Sequence, residues 1–252
     1  MESEVSQEKS FETSISTECI KTINSHRILF AHMSVGDDIL SGLALENSTL
    51  KEQIAMHKVE AVSQIDPQKS GISHIAIGAN AYPLQKLSNF RQFLFSNNNG
   101  QSFDLVGIKF CYVDITHTTD IQAVLNEYTA LVKDVKKRYP HIKFVHFTVP
   151  LTTHYSNLKS RIKHVILGDQ DNIKRNTYNE LLHEAYKNDE IIDIAGIEST
   201  YADGNRMRHS YFQTSHYSLI PAYTTDGGHL NDLGKKRAAS PFAEGLCKAL
   251  SN

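Results

Sequence analysis

The sequence predicts an α/β protein, a three-layer α/β/α sandwich around a mostly parallel, flavodoxin-like sheet. Three observations carry that expectation. Short apolar, strand-like runs alternate with longer segments whose apolar residues recur at helical spacing. The strongest strand runs are apolar at nearly every position, as expected of strands covered on both faces. Right-handed crossovers then restrict the topology to a flavodoxin-like sheet or a close relative. The chain has 252 residues and no visible internal linker. Residues 15–252 are therefore expected to form one domain, behind a polar, Ser/Glu-rich tail at 1–14 that reads as disordered or linker-like.

The elements follow in order. A short amphipathic helix is expected over about 15–24, and Arg27-Ile28-Leu29-Phe30-Ala31 reads as a buried strand. His32 to Asp38 is the loop after it, and Ile39, Leu40, Leu43 and Leu45 then suggest a helix. Val59, Val62 and Ile65 suggest a second strand, and Ile72 to Ile77 a third extended segment. After Pro83, the residues Leu84, Leu87, Phe90, Phe93 and Leu94 share one helix face. Leu105 to Tyr112 is a strong strand. Residues 119–138 form a long amphipathic helix that stops before Pro140, with Lys133 to Arg138 as its solvated end. Ile142 to Val149 is the next strand, 170–187 a helix, Ile191 to Ile194 the last strand, 199–225 irregular, and about 231–250 a final helix.

Composition excludes several classes. A formal charge of −2 gives no reason to invoke nucleic acid or an anionic membrane as partner. No apolar run approaches the roughly 18 residues of a membrane span. The polar N-terminus is unlike a secretory signal, so the chain reads as cytosolic or as a mature form without its leader. Cys19, Cys111 and Cys247 are odd in number and widely spaced, which argues against a disulfide framework. Thirteen histidines include no His-Glu-x-x-His and no zinc-spaced Cys/His cluster. There is no glycine-rich phosphate loop. No metal and no cofactor is expected, and the sequence fixes no oligomeric state.

The chemistry concentrates in Asp226-Gly227-Gly228-His229. A carboxylate this close to an imidazole can hold its Nδ1 proton and leave Nε2 as a base. The same residues also make a good turn, with Asn231 as a natural helix cap. Ser34, just past the first strand, is the candidate nucleophile, although a serine at such a turn commonly caps the following helix instead. In open α/β sheets chemistry gathers beyond the carboxyl ends of the strands, where both segments are expected to lie. The Gly-x-Ser-x-Gly elbow of α/β-hydrolases fits poorly, because His32 replaces its first glycine.

A serine after the first strand together with Asp-x-x-His before the last helix resembles the plan of the SGNH, or GDSL-type, hydrolase superfamily. The resemblance spans about residues 27–250, on short motifs. It implies Ser34 as nucleophile, His229 as base and Asp226 as orienting acid. The oxyanion would be held by the Ser34 amide with Gly78 and Asn80, a pair that also reads as a plain turn. The chain departs from the family at His32-Met33-Ser34 in place of Gly-Asp-Ser. It departs again at Cys111-Tyr112-Val113-Asp114 in place of Gly-x-Asn-Asp, where Val113 replaces the oxyanion asparagine. His32, Asp114, Arg206, Arg208 and Tyr211 are further substrate-binding candidates. The implied activity is hydrolysis of small O-acyl esters, including acetyl groups on carbohydrate. The alternatives are acyl transfer by the same triad, or a binding domain that has lost efficient catalysis.

Overall fold

The computed structural model describes residues 15–154 and 169–251 apart from Thr49, Lys51, Ala61, Val62, Ser63, Ile65, Pro67 and Phe212. The tail at 1–14 lies outside the described residues.

The first helix, α1 (Thr17–Ser25), starts where the Ser16 side chain accepts from the Cys19 amide. Strand β1 (Arg27–His32) follows and forms the middle of the sheet. It leads within two residues into α2 (Val35–Asn47). The expected second strand lies earlier than predicted, as β2 (Met56–Lys58), and two of its three marker residues, Val62 and Ile65, are outside the described set. Next come β3 (Gly71–Ala76), α3 (Pro83–Phe95, with proline in its first turn) and β4 (Leu105–Ile108). The strand expected to Tyr112 ends early because Tyr112–Asp114 winds into a 3-10 turn. Helix α4 (Ile121–Arg138) is capped by Asp120, which accepts from the Gln122 and Ala123 amides.

The strand expected at 142–149 is two, β5 (Lys143–Phe144) and β6 (His146–Phe147), because the backbone changes partner at Val145. The Val145 amide donates to Val106, and the next amide, of His146, donates to Glu190. Helix α5 (Gln170–Ala185), β7 (Ile191–Ile192) and α6 (Ile194–Ser199) follow. The segment expected to be irregular holds an antiparallel hairpin, β8 (Arg208–Tyr211) and β9 (Thr214–Tyr217). The C-terminal helix is α7 (Asp232–Ser251).

The main sheet runs β2-β3-β1-β4-β5, and β6 pairs with β7 beyond it; all these pairings are parallel. The chain starts in the middle and winds to one side and then the other, as in flavodoxin-like sheets. Alternation along β1 splits the core. Ile28 and Phe30 pack with α1, α2 and α7, while Leu29 and Ala31 pack with α3, α4 and α5. This is the expected three-layer sandwich.

Candidate active site

Ser34 sits in the two-residue gap between β1 and α2, half-buried, with φ 26° and ψ −82°. Its side chain makes no capping bond to the helix, so the capping alternative is not how the hydroxyl is used. Ser34 Oγ instead lies 3.2 Å from Cys111 Sγ, at the end of the neighbouring strand β4. Gly36 is required by close approach: a Cβ there would stand 2.4 Å from the His32 side chain.

At the same edge, His229 Nδ1 lies 2.6 Å from Asp226 Oδ2. The other carboxylate oxygen, Oδ1, accepts from the amides of Gly228 (2.9 Å) and His229 (2.8 Å). Burial works to raise the Asp226 carboxyl, but the bonds from His229 and the two amides outweigh it and hold it at about 2. Asp226 is therefore an anion placed to accept a proton from His229 Nδ1, the geometry that turns Nε2 of a neutral imidazole into an acceptor. The turn alternative is also realised, since Asn231 Oδ1 accepts from the Gly234 amide at the start of α7. The two readings coexist.

Three contacts place this loop beside Ser34. The Leu230 amide donates to Asp38 Oδ2 at 3.0 Å, which ties the histidine loop to the first turn of the helix that follows Ser34. The Tyr112 ring meets the His229 ring edge-on at 5.6 Å between centroids. Cys111, the residue before Tyr112, holds Ser34. Gly228 is fixed by the same packing, because a Cβ would stand 2.7 Å from the Tyr112 ring. Ser34 and His229 thus flank the Cys111-Tyr112 segment, and the Ser34 hydroxyl bonds Cys111 rather than His229.

The segment expected to supply oxyanion donors is built around a buried ion pair. Lys86 Nζ lies 2.6 Å from Asp114 Oδ2, both side chains nearly inaccessible to solvent. The same ammonium donates to Asn80 Oδ1 at 3.0 Å. This fixes the amide orientation of Asn80 and leaves its NH2 group as a donor at an exposed position. Asp114 also accepts from the Cys111 amide (2.7 Å) and the Ala81 amide (2.9 Å). Gly78 turns the chain at φ +67°, packed against Lys86. Asp114 is therefore an internal strut joining the two loops that follow β3 and β4, and not a substrate contact.

Two other candidates are likewise engaged within the fold. His32 is buried, bonds His74 Nδ1 at 3.1 Å through Nε2, and is driven by burial to about 3, so it is a neutral core residue. Arg206 spends its guanidinium on Ser199 Oγ and lies 3.7 Å above the Tyr217 ring. Arg208 is exposed on β8, and the Tyr211 side chain lies outside the described residues.

Four residues that matter went unread: Cys111, Asp38, Lys86 and Arg175. Buried Arg175 donates to the carbonyls of Tyr112 (2.8 Å) and Ile115 (3.0 Å) and so fixes the segment between Ser34 and His229. Only Asp38 carried a local signal, an acidic residue in the first turn of the helix after the nucleophile.

No protein-family model matches the sequence, and neither does any curated protein. Solved structures do. A Bacteroides fragilis protein described as an acylhydrolase superposes with a TM-score of 0.53 at 17% identity, over 90% of this chain and 88% of its own. A Desulfitobacterium hafniense lipolytic protein of the G-D-S-L family gives 0.52 at 10% identity, over 88% and 99%. The periplasmic domain of a lipopolysaccharide acetyltransferase from Salmonella ser. Paratyphi A gives 0.51 at 13%, over 95% and 90%. At such identities the likeness is one of fold. With the sheet order, the three layers and the nearly complete coverage, it makes this chain a divergent bearer of the SGNH (GDSL-type) hydrolase fold.

Proposed function

We propose that the protein is a serine ester hydrolase acting on small O-acyl esters. The observation that carries this reading is the Asp226–His229 pair, bonded at 2.6 Å, on the sheet edge that also presents Ser34. In the reactive form Ser34 Oγ leaves Cys111 and gives its proton to His229 Nε2 as it attacks the ester carbonyl. Asp226 stabilises the imidazolium that results. The Ser34 and Gly78 amides and the Asn80 amide, aimed by Lys86, hold the oxyanion. His229 returns the proton to the leaving alkoxide, then activates the water that releases the acyl group. Acyl transfer is the second reading. It is favoured by the fold shared with an acetyltransferase domain, and replaces that water with an acceptor hydroxyl.

A fluorophosphonate probe tests the nucleophile. The wild-type chain is expected to be labelled, and Ser34→Ala to lose both the label and activity on a panel of acetyl and short-chain acyl esters. A wild-type chain that takes no label is a binding domain. Preferential acylation of an added sugar over hydrolysis identifies a transferase.

A further inference from the structure

Among residues that the ester site does not use, three side chains of types that bind metals meet at one point. His154 stands in the loop after β6, Asp169 immediately before α5, and His216 on β9. Asp169 Oδ2 lies 3.1 Å from His154 Nδ1 and 2.7 Å from His216 Nε2. All three donor atoms fall within 4.8 Å of one another. An ion with tetrahedral bonds of about 2.0–2.1 Å holds its ligands roughly 3.4 Å apart. The two separations from Asp169, 3.1 and 2.7 Å, are shorter than that, so an ion would replace two hydrogen bonds with a small opening of the cluster.

Local choices point the same way. Asp169 occupies the N-cap position of α5, yet its carboxylate makes no capping bond to that helix. Its Oδ2 faces the two imidazoles and the Asn172 amide nitrogen at 3.3 Å. The His216 side chain is fully buried, and its one polar tie runs through Nε2 to Asp169, because Nδ1 has no partner. The His209 ring stacks on His154 at 3.9 Å and 9°, which holds the plane of that ligand.

We propose that His154, Asp169 and His216 bind one divalent transition-metal ion of the zinc type. The ligands are His154 Nδ1, the Asp169 carboxylate and His216 Nε2, with a fourth position open to water. Two imidazoles and one carboxylate suit Zn2+ or Co2+, whereas Ca2+ and Mg2+ favour all-oxygen shells. The site shares no residue with the proposed ester site and stands or falls independently of the esterase reading. It is nevertheless a neighbour of the histidine loop, since the Thr153 amide donates to the Gly227 carbonyl at 2.9 Å.

The test is calorimetric titration of Zn2+ into the full chain, stripped with a chelator and carrying no polyhistidine tag, with Co2+ absorbance as a second probe. One ion per chain is expected. Affinity should fall at least about tenfold in His216→Ala and Asp169→Asn, the loss that even an outer partner causes. His141→Ala, at an exposed position, should bind as wild type. Circular dichroism in metal-free buffer establishes that each variant is folded; should His216→Ala not fold, Asp169→Asn and His154→Gln carry the test. Failure of the wild type to bind an ion stoichiometrically overturns the proposal, as does undiminished binding by the folded variants. The cluster is then a hydrogen-bonded clamp between the hairpin and α5.

Discussion

Ser34 holds a backbone conformation, φ 26°, that side-chain-bearing residues rarely adopt. Such strain costs on the order of 1–3 kcal/mol, more than the roughly 0.5–1 kcal/mol that glycine loses in unfolded-chain entropy. Ser34→Gly is therefore expected to raise unfolding stability by about 1 kcal/mol in a urea titration, while Ser34→Ala, which keeps the Cβ, is not. The sequence showed this residue because the end of a strand and the start of a helix bracket it closely. It showed Asp226 and His229 because they lie three apart. Cys111 and Asp38 were hidden for the opposite reason: their partners are 77 and 192 positions away. His154, Asp169 and His216 were hidden likewise, drawn together only by a loop, a helix start and a hairpin.

Helix α3 and the turn at Tyr112–Asp114 are joined through the Lys86–Asp114 pair rather than through apolar contact alone. Removing one partner of a buried pair leaves an uncompensated charge and costs about 3–5 kcal/mol. Lys86→Met should lower stability by that amount in denaturant unfolding, and adding Asp114→Asn should recover part of it. The helices were readable from their apolar stripes, since each needs only its own sequence to show which face is buried. The strands were less so. The switch at Val145 is set by which neighbours lie alongside, and an apolar run looks the same with one partner strand or two. Among the described residues strand β2 pairs with β3 alone, so as an edge strand it needs no apolar run to mark it.

At the scale of the whole molecule, Glu198 is a buried carboxyl set among the buried cations Lys109 and Arg175. Burial pushes the Glu198 carboxyl up from 4.5 to about 8, against the Leu151 amide and the charges of Lys109 and Arg175. Between those two values the folded chain keeps a proton that the unfolded chain has released. Each step up in pH then costs folding stability, and the loss is complete above about 8. The Glu198 share of stability should fall from pH 5 to pH 8; buried His32 and His146 act in the opposite sense but alike in both chains, so the urea midpoint of Glu198→Gln should rise relative to wild type between the two values.

The division of the core by the sheet has a consequence for how damage reads out. The helices that begin at Ser34 and just after His229 pack on one face, and those that follow Asn80 and Asp114 pack on the other. On the proposed reading, the Ser34 and His229 loops are thus carried by one layer of the sandwich and the Gly78 and Asn80 donors by the other. A cavity in one layer, such as Leu43→Ala beneath α2, should distort the pH profile of turnover. A cavity in the other, such as Leu87→Ala beneath α3, should lower kcat evenly at every pH, although each costs a similar 2–5 kcal/mol of stability. Two lesions equal in a melting experiment would be told apart by the chemistry they spoil.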